Sequence, residues 1–167
     1  MLRYVYDQDL LVADFVARAK IASGHTKRAG FPDKNLRAIG IIDERNELIA
    51  GIVYFNYNPE AGTIEMSVEA LPKQRQRWLT PTTLGVMFQY PFIHCGCQML
   101  ITKTMARSTH VLRMLSAMNF SLILHPRAGG RYEDGVVAQL TYEDWLDSKF
   151  CKRFGHHITV KADEAAA

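Results

Sequence analysis

Apolar and polar residues alternate along this chain in two rhythms. In TIEMSVEA, Ile64, Met66 and Val68 alternate with Glu65, Ser67 and Glu69, which is the period of a strand carrying three polar side chains on one face. In LLVADFVARAKIA, Leu10, Leu11, Phe15 and Ala19 recur at helical spacing, so a helix is predicted there, with Asp7 or Asp9 as its N-cap. Ahead of it LRYVY, short, aromatic and β-branched, reads as a first strand, and the polar, Gly- and Pro-containing SGHTKRAGFPDKN after it reads as a loop. LRAIGIID, LIAGIVYFNY and TIEMSVEA are strand-like runs joined by the short ERNE and NPEAG, an antiparallel meander. Residues 80–94 are predicted helical, with Thr80 at the N-cap and Pro81 in the first helical position. QMLITKTM is a strand, and a helix starting at Ser108 follows with Val111, Leu112, Leu115 and Met118 on its apolar side. FSLILH and DGVVAQLTY close the pattern as two strands around the turn-rich PRAGGRYE.

The order is therefore strand, helix, three-stranded meander, helix, strand, helix, two strands: a mixed α/β (α+β) domain. No repeat or linker divides it, so residues 1–148 are read as one domain and residues 149–167, ending in ADEAAA, as a patternless tail.

Composition narrows the class without changing the fold. The 167 residues are 48% hydrophobic and 22% charged, values that suit a globular chain able to bury a core. A net charge of +3 and a pI near 8.8 are mild for a dedicated DNA-binding domain but suit anionic ligands. Cys95, Cys97 and Cys151 are an odd set with two only one residue apart, so a disulfide framework is not expected and a reducing, cytoplasmic setting is. No long apolar run follows Met1, so neither a signal peptide nor a membrane span is expected.

Positive charge is concentrated in one place. KQRQRWLTPTTL carries Lys73, Arg75 and Arg77 at the mouth of the helix that starts after Thr80. The helix dipole is already positive there, and a phosphate group resting on it would explain the excess.

The strand TIEMSVEA leading through this loop into a helix, followed by GCQMLITKTMARSTHVLRMLSAMNF, resembles the GNAT superfamily of acetyl-CoA-dependent N-acetyltransferases over roughly residues 36–142. Small phage-encoded members have RWLT-like segments at the same place. The resemblance implies a mostly antiparallel central sheet of six to seven strands with helices on both faces. In the family a Gln/Arg-x-x-Gly-x-Gly/Ala loop holds the CoA pyrophosphate on backbone N–H groups. Here Gln76 matches, whereas Leu79 and Pro81 replace the two small residues, and Asn119-Phe120 stands where Gly-Phe is usual. Pro81 has no N–H to donate. Lys73, Arg75 and Arg77 would then meet phosphate through their side chains, with Trp78, Leu79 and Thr80 lining the cofactor.

The resemblance also assigns the strand before the loop. In the family its backbone, here Ser67 and Val68, pairs with the pantetheine arm, and a carboxylate on it serves as general base. An ammonium has no lone pair with which to attack a thioester, so such a base is required. Glu65 and Glu69 are the candidates, Glu65 first because it lies deeper in the strand. The family's usual Tyr general acid falls on Leu115, which leaves Ser116, Tyr132, a water, or unassisted departure of the thiolate. Ser108, where the family commonly has Asn, is expected as an N-cap or a cofactor contact.

Other constellations carry less. His94, Cys95 and Cys97 lack zinc-knuckle spacing, and adjacent His156 and His157 are poor chelators, so no metal is expected. Cys95 and Cys97 would be reactive only if exposed. Arg127 and Arg131 in the last hairpin, with residues 24–31, are the expected contacts for an acidic or nucleic-acid acceptor, where Phe31 and Tyr132 could stack on a base. The expected partners are a CoA thioester, acetyl-CoA above all, and an amine on a protein, small molecule or nucleobase. A homodimer is compatible with the pattern. The competing expectation is a GNAT-fold module that has lost catalysis and binds a protein or nucleic acid.

Overall fold

The computed structural model describes residues 1–27, 30–31, 35–74 and 77–154. A seven-stranded sheet forms in the order β1-β2-β3-β4-β5-β7-β6. Its strands are β1 (Arg3–Val5), β2 (Arg37–Ile42), β3 (Leu48–Asn58), β4 (Thr63–Ala70), β5 (Met99–Met105), β6 (Ser121–Gly130) and β7 (Glu133–Thr141). Every neighbouring pair is antiparallel except β4 and β5. The helices are α1 (Asp9–Ala22), α2 (Pro81–Gln89), α3 (Thr109–Ala117), α4 (Tyr142–Asp147) and α5 (Lys149–Phe154), and α2 runs on into a π-helical turn, Tyr90–His94.

Adjacent strand residues face opposite sides, so the core has two layers. On one face α1 lays Val12, Ala13 and Val16 over Ala38 and Val53. Gly40 and Gly51, paired across β2 and β3, let the helix sit close. A Cβ on Gly51 would lie 2.7 Å from a Val16 methyl and 2.8 Å from a Val12 methyl. On the other face Ile39, Ile52, Tyr54 and Met66 pack with Trp78, Leu84, Phe88, Phe92, Leu115 and Trp145.

Three local expectations change. The buried stripe of α1 is Val12, Ala13, Val16, Ala17 and Ala19, whereas Leu10 and Leu11 are exposed, so the helix is rotated from the face chosen by its bulkiest residues. Its N-cap is Gln8, without a side-chain cap bond. Asp9 instead accepts from the Ala38 amide (2.7 Å) and from Arg37 (3.0 Å), which ties α1 to β2. The chain beyond residue 148 begins with α5, whose Phe150 and Cys151 pack on the main core, while residues 155–167 lie outside the described part.

Two helix ends follow the Schellman pattern. After α3, Phe120 N–H donates to Leu115 O and Asn119 N–H to Ser116 O (both 3.0 Å), with Asn119 at φ 74°. Asn thus takes the left-handed position that Gly usually fills. After α1, His25 N–H donates to Lys20 O (2.9 Å) and Gly24 N–H to Ile21 O (3.0 Å), with Gly24 at φ 74°. This second end positions a functional side chain.

Candidate active site

The parallel β4–β5 ladder runs Thr63↔Met99, Ile64↔Leu100, Glu65↔Ile101 and then stops. Beyond it the strands border a cavity of about 350 Å³, with residues 66–70 on one side and 102–105 on the other. β3 continues to pair with β4 as far as Ala70, so only the β5 side of β4 is released. Met66, Met87, Met105, Met114 and Met118 supply much of the wall, side chains that adapt to an irregular apolar guest.

Glu69 lines this cavity and is only 7% exposed. It pairs with Gly51 and Ser67 with Val53, so both face α1. The Schellman turn at Gly24 brings His25 back over the strand, where its Nδ1 lies 2.8 Å from Glu69 Oε2. Ser23 Oγ donates to Ala19 O (2.7 Å) and lies 3.2 Å from the same Nδ1. With Ser23's hydrogen turned to Ala19 O, an Nδ1–H donated toward Glu69 Oε2 and Ser23 Oγ satisfies both contacts. Lys20, in the last turn of α1, donates to Ser67 Oγ (2.7 Å). Burial pushes the Lys20 pKa down, with Glu69 partly opposing the shift.

Glu65, four residues back on the same face, has a different setting. It is paired on both strand edges, forms an ion pair with Lys103 (3.1 Å), accepts from Asn56 Nδ2 (3.2 Å), and does not line the cavity.

The charged loop is arranged otherwise than a glycine cradle. Pro72–Gln74 forms a 3₁₀ turn, Lys73 and Arg77 are exposed, and Arg75 and Gln76 lie outside the described residues. Trp78 is buried in the core and lines the cavity together with Leu79. Thr80 caps α2 as expected, accepting from the Thr83 amide (3.1 Å). Thr83 Oγ1 donates to Trp78 O (2.7 Å), and the Thr80 amide reaches the same carbonyl (3.0 Å). With Pro81 lacking an N–H and the Thr83 amide turned to the cap, the start of α2 offers an anion fewer backbone donors than a glycine cradle would, so side chains would carry more of the contact.

The remaining candidates disperse. Ser108 is buried at the N-cap position of α3, but its hydroxyl makes no cap bond. Leu115 lines the cavity where the family carries Tyr. Ser116 is exposed and Tyr132, at the tip of the β6–β7 hairpin under the Arg131 guanidinium, is 91% exposed; neither lines the cavity. Arg127 is held within that hairpin by Asp134 and the Arg131 carbonyl. Phe31 packs edge-on against Phe55 (5.2 Å). Cys97 is buried and its thiol is pushed up to about 11 by that burial, which makes it a poor nucleophile. Among the described residues no group of three or more His, Cys, Asp or Glu side chains is placed to hold a metal ion.

Sequence reading missed Lys20 as a site residue and placed His25 only within an acceptor loop. The available signal was Ser-Gly-His directly after a helix, a Schellman ending that turns its third residue back toward the sheet.

No family model and no curated protein matches the sequence. Solved structures do match the fold. A protein of Acinetobacter baylyi assigned as an acetyltransferase superposes with a TM-score of 0.69 at 18% identity, covering 86% of this chain and 94% of its own. A mutant of SpeG, the spermidine N-acetyltransferase of Vibrio cholerae, gives 0.69 at 12% identity, covering 87% and 96%. A T. thermophilus protein likewise assigned as an acetyltransferase gives 0.68 at 14%, covering 94% and 93%. With the mixed seven-stranded sheet and its single parallel β4–β5 step, the chain has the fold of the GNAT N-acetyltransferases.

Proposed function

We propose that the protein is an N-acyltransferase that uses a CoA thioester, acetyl-CoA foremost, and transfers the acyl group directly to an amine in a ternary complex. The observation that carries this reading is the release of residues 66–70 of β4 from β5, with a buried carboxylate at the released end. Backbone groups of Ser67 and Val68 would pair with a pantetheine arm lying in the opening. Lys73, Arg75 and Arg77, with Gln76, would meet the phosphates through side chains, because Pro81 has no N–H and the Thr83 amide is turned to the α2 cap. Bound CoA supplies the activated thioester carbonyl.

Glu69 is the general base in this reading. It takes a proton from the incoming ammonium, and His25, hydrogen-bonded through Nδ1, fixes the carboxylate and stabilises it while it is charged. Glu65, paired with Lys103 and not itself lining the cavity, serves the sheet instead. Leu115 offers no proton to the departing sulfur, so the thiolate leaves unassisted or with help from a water or a polar group of the cavity wall such as the Thr102 or Thr104 hydroxyl. Holding both reactants in reach supplies much of the rate.

Isothermal titration with acetyl-CoA tests the reading. Micromolar binding that weakens in Lys73→Ala/Arg77→Ala supports it, and absence of heat at millimolar ligand sinks it. The second reading, a module that has lost catalysis and binds a macromolecule, is favoured by Pro81 and the capped Thr83 amide. It gains if acetyl-CoA fails to bind.

A further inference from the structure

We propose that Lys20 is a self-acylation site: with donor thioester in the cavity and no acceptor present, its ε-amine takes the acyl group. This inference rests on the donor reading above. Lys20 reaches the cavity from the last turn of α1, and its Nζ is held 2.7 Å from Ser67 Oγ on the strand along which the thioester would lie. Glu69 lines the same wall two residues further on, with His25 bound to it. The amine therefore occupies the side of the sheet from which an acceptor amine would attack. The other titratable and polar groups on the wall of the same cavity include Ser67 and Glu69 from β4, His25 from the end of α1, Lys103 from β5 and His110 from α3. Of the two lysines on the wall, Lys103 is engaged with Glu65. Burial favours the neutral form of Lys20, which raises the fraction carrying a lone pair above that of a surface lysine.

The step balances without a redox partner. The neutral Nζ attacks the thioester carbonyl carbon and the carbon–sulfur bond breaks. Sulfur leaves as the thiolate of free CoA, and the proton lost from nitrogen passes to the Glu69 carboxylate. The product is an acyl-lysine without charge, lodged in the acceptor's path, so turnover falls as modification accumulates.

The test incubates the full chain with acetyl-CoA and no acceptor, follows intact mass, and maps acetylated peptides with time, with calorimetry on the same sample. The expected result is one acetyl group per chain, on Lys20, several-fold faster than on the exposed Lys73 and Lys149. Lys20→Arg should lose that first addition, and the wild-type map decides the matter if this variant does not fold. Calorimetric binding of acetyl-CoA with Lys20 unmodified, or modified no faster than Lys73, overturns the inference and leaves the proposed function standing. No binding at all overturns both.

Discussion

The two halves of β4 share one strand, one face and one residue type, yet they hold their carboxylates in opposite circumstances. At the Thr63 end, Glu65 has strands on both sides and a lysine partner at 3.1 Å. At the Ala70 end, Glu69 has a strand on one side only, is buried beneath the end of α1, and faces a cavity with His25 as its partner. A carboxylate becomes a candidate base here through the end of a hydrogen-bond ladder, because that end decides which side chains border open space. Depth within the strand, the criterion that puts Glu65 first, selects the residue already paired with Lys103.

The largest expected break in this comparison is catalytic. Glu69→Gln should lower kcat about 10²–10⁴-fold, the usual reach of a general base, while Glu65→Gln should stay within a few-fold of wild type. Steady-state kinetics on whichever amine an acceptor screen finds would check the pair, and equal losses would erase the distinction. Next in size is the packing that seats α1 over Glu69. Gly51→Val drives a branched side chain into Val12 and Val16 and should cost about 1–3 kcal/mol in denaturant unfolding.

Removing the α2 cap with Thr80→Ala should cost about 1 kcal/mol. It also frees the Thr83 amide, so tighter acetyl-CoA binding in this destabilised variant would show that the cap competes with phosphate. Lys20 adds a pH signature. Its pKa lies below the ordinary 10.5 in the folded chain, so the unfolded chain holds the proton more strongly. Unfolding free energy should therefore rise with pH between the depressed value and 10.5. Tyr54, Tyr90 and Cys97, with raised values, slope the other way at alkaline pH. The quantity to follow is the difference between wild type and Lys20→Met, and a flat difference curve would contradict the buried lysine. Smallest is Lys103→Ala, where loss of a partly exposed ion pair should cost less than about 1 kcal/mol.

Much of this arrangement is legible from residues alone. The strand alternation, the Thr80-Pro81 helix start and the succession of strands and helices along the chain all depend on local chemistry, and local chemistry is written in sequence. Even Asn119 in the Gly-Phe position is explained locally, since Asn tolerates the left-handed turn that closes α3. What escapes is whatever two distant segments decide together. Leu10 and Leu11 look like a core face, but Gly40 and Gly51 admit the β-branched Val12 and Val16 at closer range and set the rotation of α1. His25 reaches Glu69 across 44 positions of sequence, and no periodicity reports that contact. The point at which β4 and β5 part is likewise a property of the two strands together, invisible in the residues of either one.

Residue-resolved amide hydrogen exchange along β4, with and without acetyl-CoA, tests the central claim most directly. The account predicts that acetyl-CoA slows exchange at residues 67–70, where the strand has been released, and leaves residues 63–65 unchanged. Binding of acetyl-CoA with protection only outside β4, or with uniform protection of both halves, would contradict it.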